Sequence, residues 1–129
     1  MIGVDTNIIV RLLTRDDEKQ FLKSREIFAK EQVFISDTVI LETEWVLRFA
    51  YGFKPDDIRL AFSRLFGLDS VHLNNPDNLA MVLKLYKSGL DFADAMHLVA
   101  NNQQETFLTI DKTFIRRAKG LTDCLIKSP

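Results

Sequence analysis

Acidic side chains at strand ends are the residues of this sequence whose types and spacing could support chemistry. Asp5 comes directly after a short apolar run, Ile2–Val4, and Asp111 comes directly after another, Thr106–Ile110. If both runs are parallel strands, both acids lie at the carboxyl edge of the sheet. That edge is where open α/β sheets bind their ligands. We therefore expect Asp5 and Asp111 to face a common site.

Two further acids lie within predicted helices, at positions where a packed helix is normally apolar. Glu42 has Val39 and Val46 as its i−3 and i+4 neighbours, and Asp94 shares a helix face with Asp91. Four carboxylates at one edge would repel one another by roughly 3 kcal/mol per pair at ~5 Å and an effective dielectric of about 20. A hard divalent cation such as Mg²⁺ or Mn²⁺ is the simplest compensation, because oxygen is the ligand atom that these ions prefer.

Each acid also has a purely structural interpretation. Asp5 and Asp111 could be N-caps of the helices that follow them, since Asp is a favoured capping residue. Asp91 is more readily explained as a first-turn residue favoured by the helix dipole. Glu44 competes with Glu42 for the role in the third helix, and we expect Glu44 to be solvated on the opposite side.

The elements that must position these acids alternate between strand and helix along the whole chain. Strands are predicted at Ile2–Val4, Val33–Ile35, Val71–Leu73, Thr106–Ile110 and Leu125–Ile126; helices are predicted at Thr6–Leu13, Glu18–Glu31, Thr38–Tyr51, from Pro55, from Pro76 to Gly89, Asp91–Asn101 and Lys112–Lys119. The strand runs are short and apolar without polar alternation, which indicates a parallel sheet covered by helices. The sequence thus predicts an α/β fold, a three-layer α/β/α sandwich with a central, mainly parallel sheet.

Length and composition narrow the class of protein. The 129 residues predict a single domain spanning 1–129, and a formal net charge of −1 excludes a strongly basic coat protein for nucleic acid. Cys124 is the only cysteine, so no internal disulfide is possible. No signal peptide and no membrane-spanning run is visible, and we expect a soluble, cytoplasmic protein with no membrane partner.

The acids and their surroundings resemble the motifs of the PIN-domain ribonucleases. Val-Asp-Thr-Asn at 4–7 is similar to the family's opening motif. The second, third and fourth acids of the family correspond to Glu42 within 39–47, Asp94 within 91–95 and Asp111 within 108–114. The resemblance covers essentially the whole chain, whose length is that of a VapC-type toxin.

This resemblance implies a Mg²⁺- or Mn²⁺-dependent endoribonuclease that acts on RNA, forms a homodimer and is held inactive by a small antitoxin protein. Asp5, Glu42, Asp94 and Asp111 would be catalytic, and Asp91 would join Asp5, Asp94 and Asp111 in holding the metal. Thr6 and Thr109 resemble the family's hydroxyl residues beside these acids and would contact the substrate, with a buried structural threonine as the alternative. His97 is not part of the acid pattern.

Basic residues are expected around an acidic pocket that receives RNA. The candidates for backbone contacts follow the acid-bearing strand ends: Arg11, Lys112 and Arg116, together with Arg15, Arg117 and Lys119. Individually, each is better explained as a solvated surface charge, and the prediction concerns the group.

Other classes of protein also place acids at strand ends. A phospho-signalling receiver domain needs an acidic pair after its first strand and a phospho-accepting Asp after its third, whereas this chain has a lone Asp5. A haloacid-dehalogenase phosphotransferase needs a second Asp where this chain has Asn7. A catalytically inactive PIN domain that serves as a binding module remains a further alternative, although all four acids are present.

Overall fold

The structure is a computed structural model that describes all 129 residues. Its contacts divide the chain into two compact units, an N-terminal unit, Met1–Pro76, and a C-terminal unit, Asp77–Pro129. Each unit is described separately below. None of the seven helices is long and apolar enough to cross a membrane.

The N-terminal unit is a parallel three-stranded sheet with four helices. In chain order its elements are β1 (Ile2–Gly3), α1 (Thr6–Thr14), α2 (Glu18–Lys30), β2 (Val33–Ile35), α3 (Asp37–Phe49), α4 (Pro55–Phe66) and β3 (Val71–Leu73). The strand order is β1-β2-β3, with Ile2 opposite Val33 and Val33 opposite Val71. Parallel neighbours require helical crossovers, and the α1–α2 and α3–α4 pairs supply them.

Local signals explain where these helices begin. The Ser36 hydroxyl caps α3 by accepting a hydrogen bond from the Val39 amide at 3.3 Å. Pro55 occupies the first turn of α4, where backbone amides have no intrahelical acceptor, so the helix loses no hydrogen bond to the proline. The buried faces of α3 and α4 carry Ile40, Leu47, Ile58 and Phe62, none more than 1% exposed, so apolar burial fixes both helices.

The C-terminal unit contains a two-stranded parallel sheet and three helices. Its elements are α5 (Pro76–Lys87, beginning at the last residue of the first unit), α6 (Phe92–Ala100), β4 (Thr106–Leu108), α7 (Lys112–Ala118) and β5 (Leu125–Lys127). Strand β4 pairs with β5, with Phe107 opposite Ile126. Phe92 and Leu98 are at most 1% exposed and anchor α6.

The predicted α/β class, the helices and the parallel pairing of the strands are confirmed, with two differences. β1 and β4 are shorter than predicted, so Val4 separates Asp5 from its strand, and Thr109 and Ile110 separate Asp111 from its strand. In addition, the backbone hydrogen bonds group the strands into two sheets, and β1 and β4 belong to different ones. A two- or three-residue strand has few ladder bonds, so its pairing depends on tertiary contacts that periodicity does not encode.

Candidate active site

Asp5 lies in the turn between β1 and α1 and is the N-cap of α1. Its backbone is extended (φ −88°, ψ 165°), and its Oδ1 accepts a hydrogen bond from the Thr6 amide at 2.8 Å. The Asp5 carbonyl also accepts from the Ile8 amide at 3.1 Å, which starts the helix. Asp5 therefore has the capping role that its sequence position allows, and its carboxylate is exposed and open to a second role.

Thr6 links the start of α1 to the acid on α3. Its side chain is only 4% exposed, and its hydroxyl donates a short hydrogen bond to Oε1 of Glu42. Glu42 is exposed on α3, so this bond restrains a carboxylate that would otherwise rotate freely in water. Thr6 thus connects Asp5 and Glu42, because its amide donates to Asp5 and its hydroxyl donates to Glu42. The second of these bonds orients the Glu42 carboxylate.

The buried acid of α3 is Glu44, not Glu42. Glu44 is 1% exposed, and its carboxylate forms an ion pair with Arg48, with Oε2 2.9 Å from Nε and Oε1 accepting a hydrogen bond from Nη2 at 3.2 Å. The expectation that Glu44 would be solvated is therefore wrong. Its partner lies one helical turn further along, the spacing at which an acid and a base meet on a helix, and this spacing was the available sequence signal.

Asp91 and Asp94 occupy the first turn of α6 in the C-terminal unit. Asp91 is the N-cap, and its Oδ2 accepts from the Asp94 amide at 3.3 Å. The capping bond holds the two acids in adjacent positions at the positive end of the helix dipole, which favours negative charge there.

Asp94 carries the clearest electrostatic signature of the candidate site. Partial burial raises the pKa of its carboxyl group, and the negative charges of Asp91 and Asp111 raise it further, while His97 and Arg117 act in the opposite direction. The charges of Asp91 and Asp111 therefore both act on Asp94. That the three acids hold one metal ion stays a prediction.

Asp111 is placed by the turn that leads from β4 into α7. Its Oδ1 accepts from the Phe114 amide at 3.1 Å and caps α7, and its own amide donates to Oγ1 of Thr109 at 3.1 Å. Thr109 was predicted to contact substrate, and in the structure its hydroxyl shapes the turn that presents Asp111.

The predicted RNA-binding residues differ in how they are engaged. Nη1 of Arg11 pairs with both carboxylate oxygens of Asp16 at 2.9 Å, and its Nε donates to Gln20 at 2.6 Å. A phosphate would have to compete with these bonds for Arg11. Lys112 and Arg116 are exposed on α7.

Two residues that were not predicted to belong to the acid site act on Asp94, although Arg117 was predicted as a contact of the RNA backbone. Arg117 and His97 both lower the pKa of Asp94 by their positive charge. The His97 ring also stacks on Phe107, with centroids 6.5 Å apart and planes at 21°. No sequence signal separates Arg117 from Arg116 and Lys119, because which face of a short helix turns toward an acid depends on its packing.

The donor set fits a hard divalent cation in its chemistry. All the acids brought together are carboxylates, and positive charge among Asp91, Asp94 and Asp111 would relieve the repulsion that raises the pKa of Asp94. No three Asp, Glu, His or Cys side chains are already spaced as ligands of one ion. Asp91, Asp94 and Asp111 therefore supply carboxylate oxygens without forming a finished coordination shell.

Comparison with known proteins identifies the family. A search of curated proteins found none that matches the chain. The PIN domain family matches residues 2–120, which include all of the acids described above and most of each unit. The chain therefore belongs to the PIN domain family.

Proposed function

We propose that this protein is a Mg²⁺- or Mn²⁺-dependent endoribonuclease that hydrolyses RNA phosphodiester bonds. PIN domains are generally metal-dependent nucleases, and PIN nucleases bind RNA. The observation that carries the proposal is the crowding of Asp94 by the charges of Asp91 and Asp111. Asp91 and Asp111 cap their helices, but capping does not require a third carboxylate beside them, and a divalent cation would relieve the repulsion that Asp94 experiences.

Asp91, Asp94 and Asp111 are the residues we assign to the metal, and we add Asp5 from its match to the family's first acid. A bound Mg²⁺ or Mn²⁺ supplies Lewis acidity toward a phosphate oxygen and makes a water molecule more acidic. The capping bonds of Asp91 and Asp111 fix the backbone from which two of these carboxylates project. Pre-positioned carboxylates reduce the reorganisation that catalysis would otherwise require.

Glu42 is the catalytic carboxylate that we assign to the attacking water rather than to the metal. The Thr6 hydroxyl occupies Oε1 of Glu42 and so fixes the orientation of the carboxyl group. A carboxylate held in this way can accept a hydrogen bond from water and take up its proton as the phosphorus–oxygen bond forms. Thr6 is then a positioning residue, acting through Glu42.

Lys112 and Arg116 are the cations that we assign to the RNA backbone. Both lie on α7, which begins directly after Asp111, so a phosphate near Asp111 meets positive charge within one or two helical turns. Contacts of this kind give affinity without sequence preference and weaken with added salt. We assign Arg11 a weaker contribution because of its ion pair with Asp16.

The test compares RNA cleavage by the wild-type chain and by Asp94→Asn, with Asp69→Asn as a matched control. Asp69 is exposed and lies between α4 and β3, outside the acid set. Mg²⁺-dependent cleavage of single-stranded RNA should be lost in Asp94→Asn, by on the order of a hundredfold or more, and retained in Asp69→Asn. Calorimetric titration with Mn²⁺ should show weaker binding to Asp94→Asn alone. Equal cleavage by all three proteins would refute the proposal.

We further propose that the nuclease is a VapC-type toxin, active as a homodimer and inhibited by a small antitoxin. The support is the resemblance of the four acid motifs. Expression of the chain alone in bacteria should arrest growth, and Asp5→Asn or co-expression of the small neighbouring open reading frame should relieve the arrest. Sedimentation should give twice the 14.9 kDa mass of one chain. Normal growth at high levels of active enzyme would contradict the toxin role and leave the nuclease role intact.

A further inference from the structure

An exposed aromatic pair continues the row of α3 on which Glu42 lies. Glu42, Trp45 and Phe49 are spaced i, i+3 and i+7, so they share one face of the helix. Trp45 is 57% exposed and Phe49 is 61% exposed, although both are large apolar side chains. Neighbouring exposed aromatic side chains form an apolar surface patch, and such patches often mark binding sites.

The aromatic pair is held in place before any partner arrives. The ring centroids of Trp45 and Phe49 are 5.3 Å apart, with planes at 43°. The Arg48 guanidinium lies 4.5 Å from the centre of the Phe49 ring, and the buried carboxylate of Glu44 holds Arg48 by an ion pair and one hydrogen bond from Nη2. The ion pair of Glu44 and Arg48 thus fixes the guanidinium that contacts Phe49, and Phe49 in turn contacts Trp45 on the exposed side of α3.

We infer that Trp45 and Phe49 form a stacking platform for the bases of single-stranded RNA beside Glu42. The inference rests on the proposed nuclease function and adds to it two substrate-positioning residues. Along the helix axis, Trp45 lies about 4.5 Å and Phe49 about 10.5 Å beyond Glu42. A strand whose phosphate is near Glu42 would therefore place its next bases against the two rings.

The composition of the row favours RNA over a second copy of the chain. A protein surface covering Trp45 and Phe49 would also desolvate the Glu42 carboxylate one turn away, which is costly without a cationic partner. Single-stranded RNA offers aromatic base faces that stack on the two rings, whereas Arg48 is already paired with Glu44 and serves to hold the Phe49 ring. The two rings and the adjacent Glu42 therefore match the bases of a strand bound for cleavage.

Trp45 provides a direct probe, because it is the only tryptophan in the chain. The titration uses an unstructured eight-nucleotide RNA with EDTA present, so that no cleavage occurs, and follows both Trp45 emission and fluorescence anisotropy of a labelled RNA. Saturable quenching of Trp45 should occur over the same concentrations as the rise in anisotropy. A duplex of the same sequence, whose bases are already stacked, should quench much less.

Substitutions then separate stacking from catalysis. Trp45→Ala and Phe49→Ala should each weaken RNA binding by about five- to 150-fold, the range for loss of one base–aromatic stack. They should raise KM for cleavage and change kcat little. Trp45→Phe, which keeps an aromatic ring, should retain most of the affinity. Leu22→Ala removes another exposed apolar side chain, 43% exposed on α2, and should leave binding unchanged.

Three results would overturn the platform. RNA binding and cleavage without quenching of Trp45 would place the substrate elsewhere and leave the nuclease proposal standing. A blue shift of Trp45 emission that grows with protein concentration in the absence of RNA, together with dimer formation, would assign the surface to a second copy. Unchanged binding by folded Trp45→Ala and Phe49→Ala would also reject it. Quenching by RNA without any cleavage in Mg²⁺ would support the platform and contradict the nuclease proposal.

Discussion

Asp94 is destabilised in its ionised form by its surroundings. Burial and the charges of Asp91 and Asp111 raise its pKa in the folded protein above the value of an unfolded chain, about 3.9. Between those two values the folded state binds more protons than the unfolded state, so stability falls as the pH rises. The loss of stability caused by ionised Asp94 is absent below the unfolded-state pKa and complete once the pH exceeds the raised pKa of the folded state.

Asp94→Asn should therefore stabilise the metal-free protein at pH 7. We expect a gain of at most about 1 kcal/mol in the free energy of unfolding, because the side chain is only partly buried and solvent screens its charge. The gain should shrink as the pH falls through the raised pKa and vanish below about 3.9. Urea unfolding of both proteins with EDTA, from pH 7 to pH 3.5, measures it. A destabilised Asp94→Asn at pH 7 would show that Asp94 is paired rather than crowded.

Asp5 combines a capping role with its proposed metal-binding role, and two substitutions separate them. Asp5→Asn keeps a good cap for α1, so the melting temperature should change little while cleavage is lost. Asp5→Ala should lose cleavage and also about 1 kcal/mol of stability, because the Thr6 amide then loses its acceptor. Thermal melts and cleavage rates of both variants test this separation.

Asp17 provides the matched control for that experiment. It is the N-cap of α2, with Oδ1 accepting from the Gln20 amide three residues on at 3.0 Å, and it is not one of the site acids. Asp17→Ala should lose similar stability and keep full cleavage. If Asp5→Asn keeps its activity as Asp17→Ala does, Asp5 is a helix cap and nothing more.

A hydrogen-bonded cluster joins α1 to the connections that follow α1 and α3. The Asp16 carboxylate accepts from the Tyr51 hydroxyl at 2.8 Å, from Thr14 at 2.9 Å and from Arg11 at 2.9 Å. The Tyr51 bond leads the three in lowering the pKa of Asp16 to about 2. The cluster therefore fastens the end of α3 to the first helix, and α3 is the helix that carries Glu42.

Tyr51→Phe should raise the pKa of Asp16 from about 2 toward its ordinary value near 3.8. A lowered carboxyl pKa contributes stability above the unfolded-state value, and this contribution is lost as the pH falls through the folded-state value. The wild-type protein should then lose stability more steeply than Tyr51→Phe between about pH 4 and pH 2. Carboxyl NMR titration measures the pKa, with Thr14→Ala as the comparison. An Asp16 pKa that does not move in Tyr51→Phe would contradict the bond.

Helix boundaries followed from the sequence because their causes are local. Ser36, Pro55 and Pro76 mark helix starts through their own capping or backbone geometry, and the structure begins helices there. The choice between Glu42 and Glu44 did not follow, because apolar residues occur on both sides of α3 and only packing decides which side is buried. The environment of Arg11 could not be predicted from the sequence either, because its hydrogen-bond partner Tyr51 is 40 residues away in the chain.

The type of RNA cleavage depends on which acid–base groups the protein contains. Ribonucleases that use the RNA 2′-hydroxyl as nucleophile need a positioned general base and general acid, often two histidines. Of the two histidines here, His72 lies in β3 with its Nε2 2.6 Å from Gln32, and His97 stacks on Phe107. The carboxylates, by contrast, suit attack by water on phosphorus, with the bond from phosphorus to the ribose 3′-oxygen breaking.

The products should therefore carry 5′-phosphate and 3′-hydroxyl ends and no 2′,3′-cyclic phosphate. A 2′-O-methyl group at the scissile nucleotide should leave cleavage detectable, because that oxygen does not take part in the reaction. EDTA should stop cleavage, and added Mg²⁺ or Mn²⁺ should restore it. Mass spectrometry of the fragment ends reads the outcome directly, and His97→Gln, which removes the imidazole beside Asp94, should give the same ends as the wild-type chain. Cyclic phosphate ends from an enzyme indifferent to EDTA would contradict hydrolysis by the carboxylate site, because the 2′-hydroxyl would then be the nucleophile.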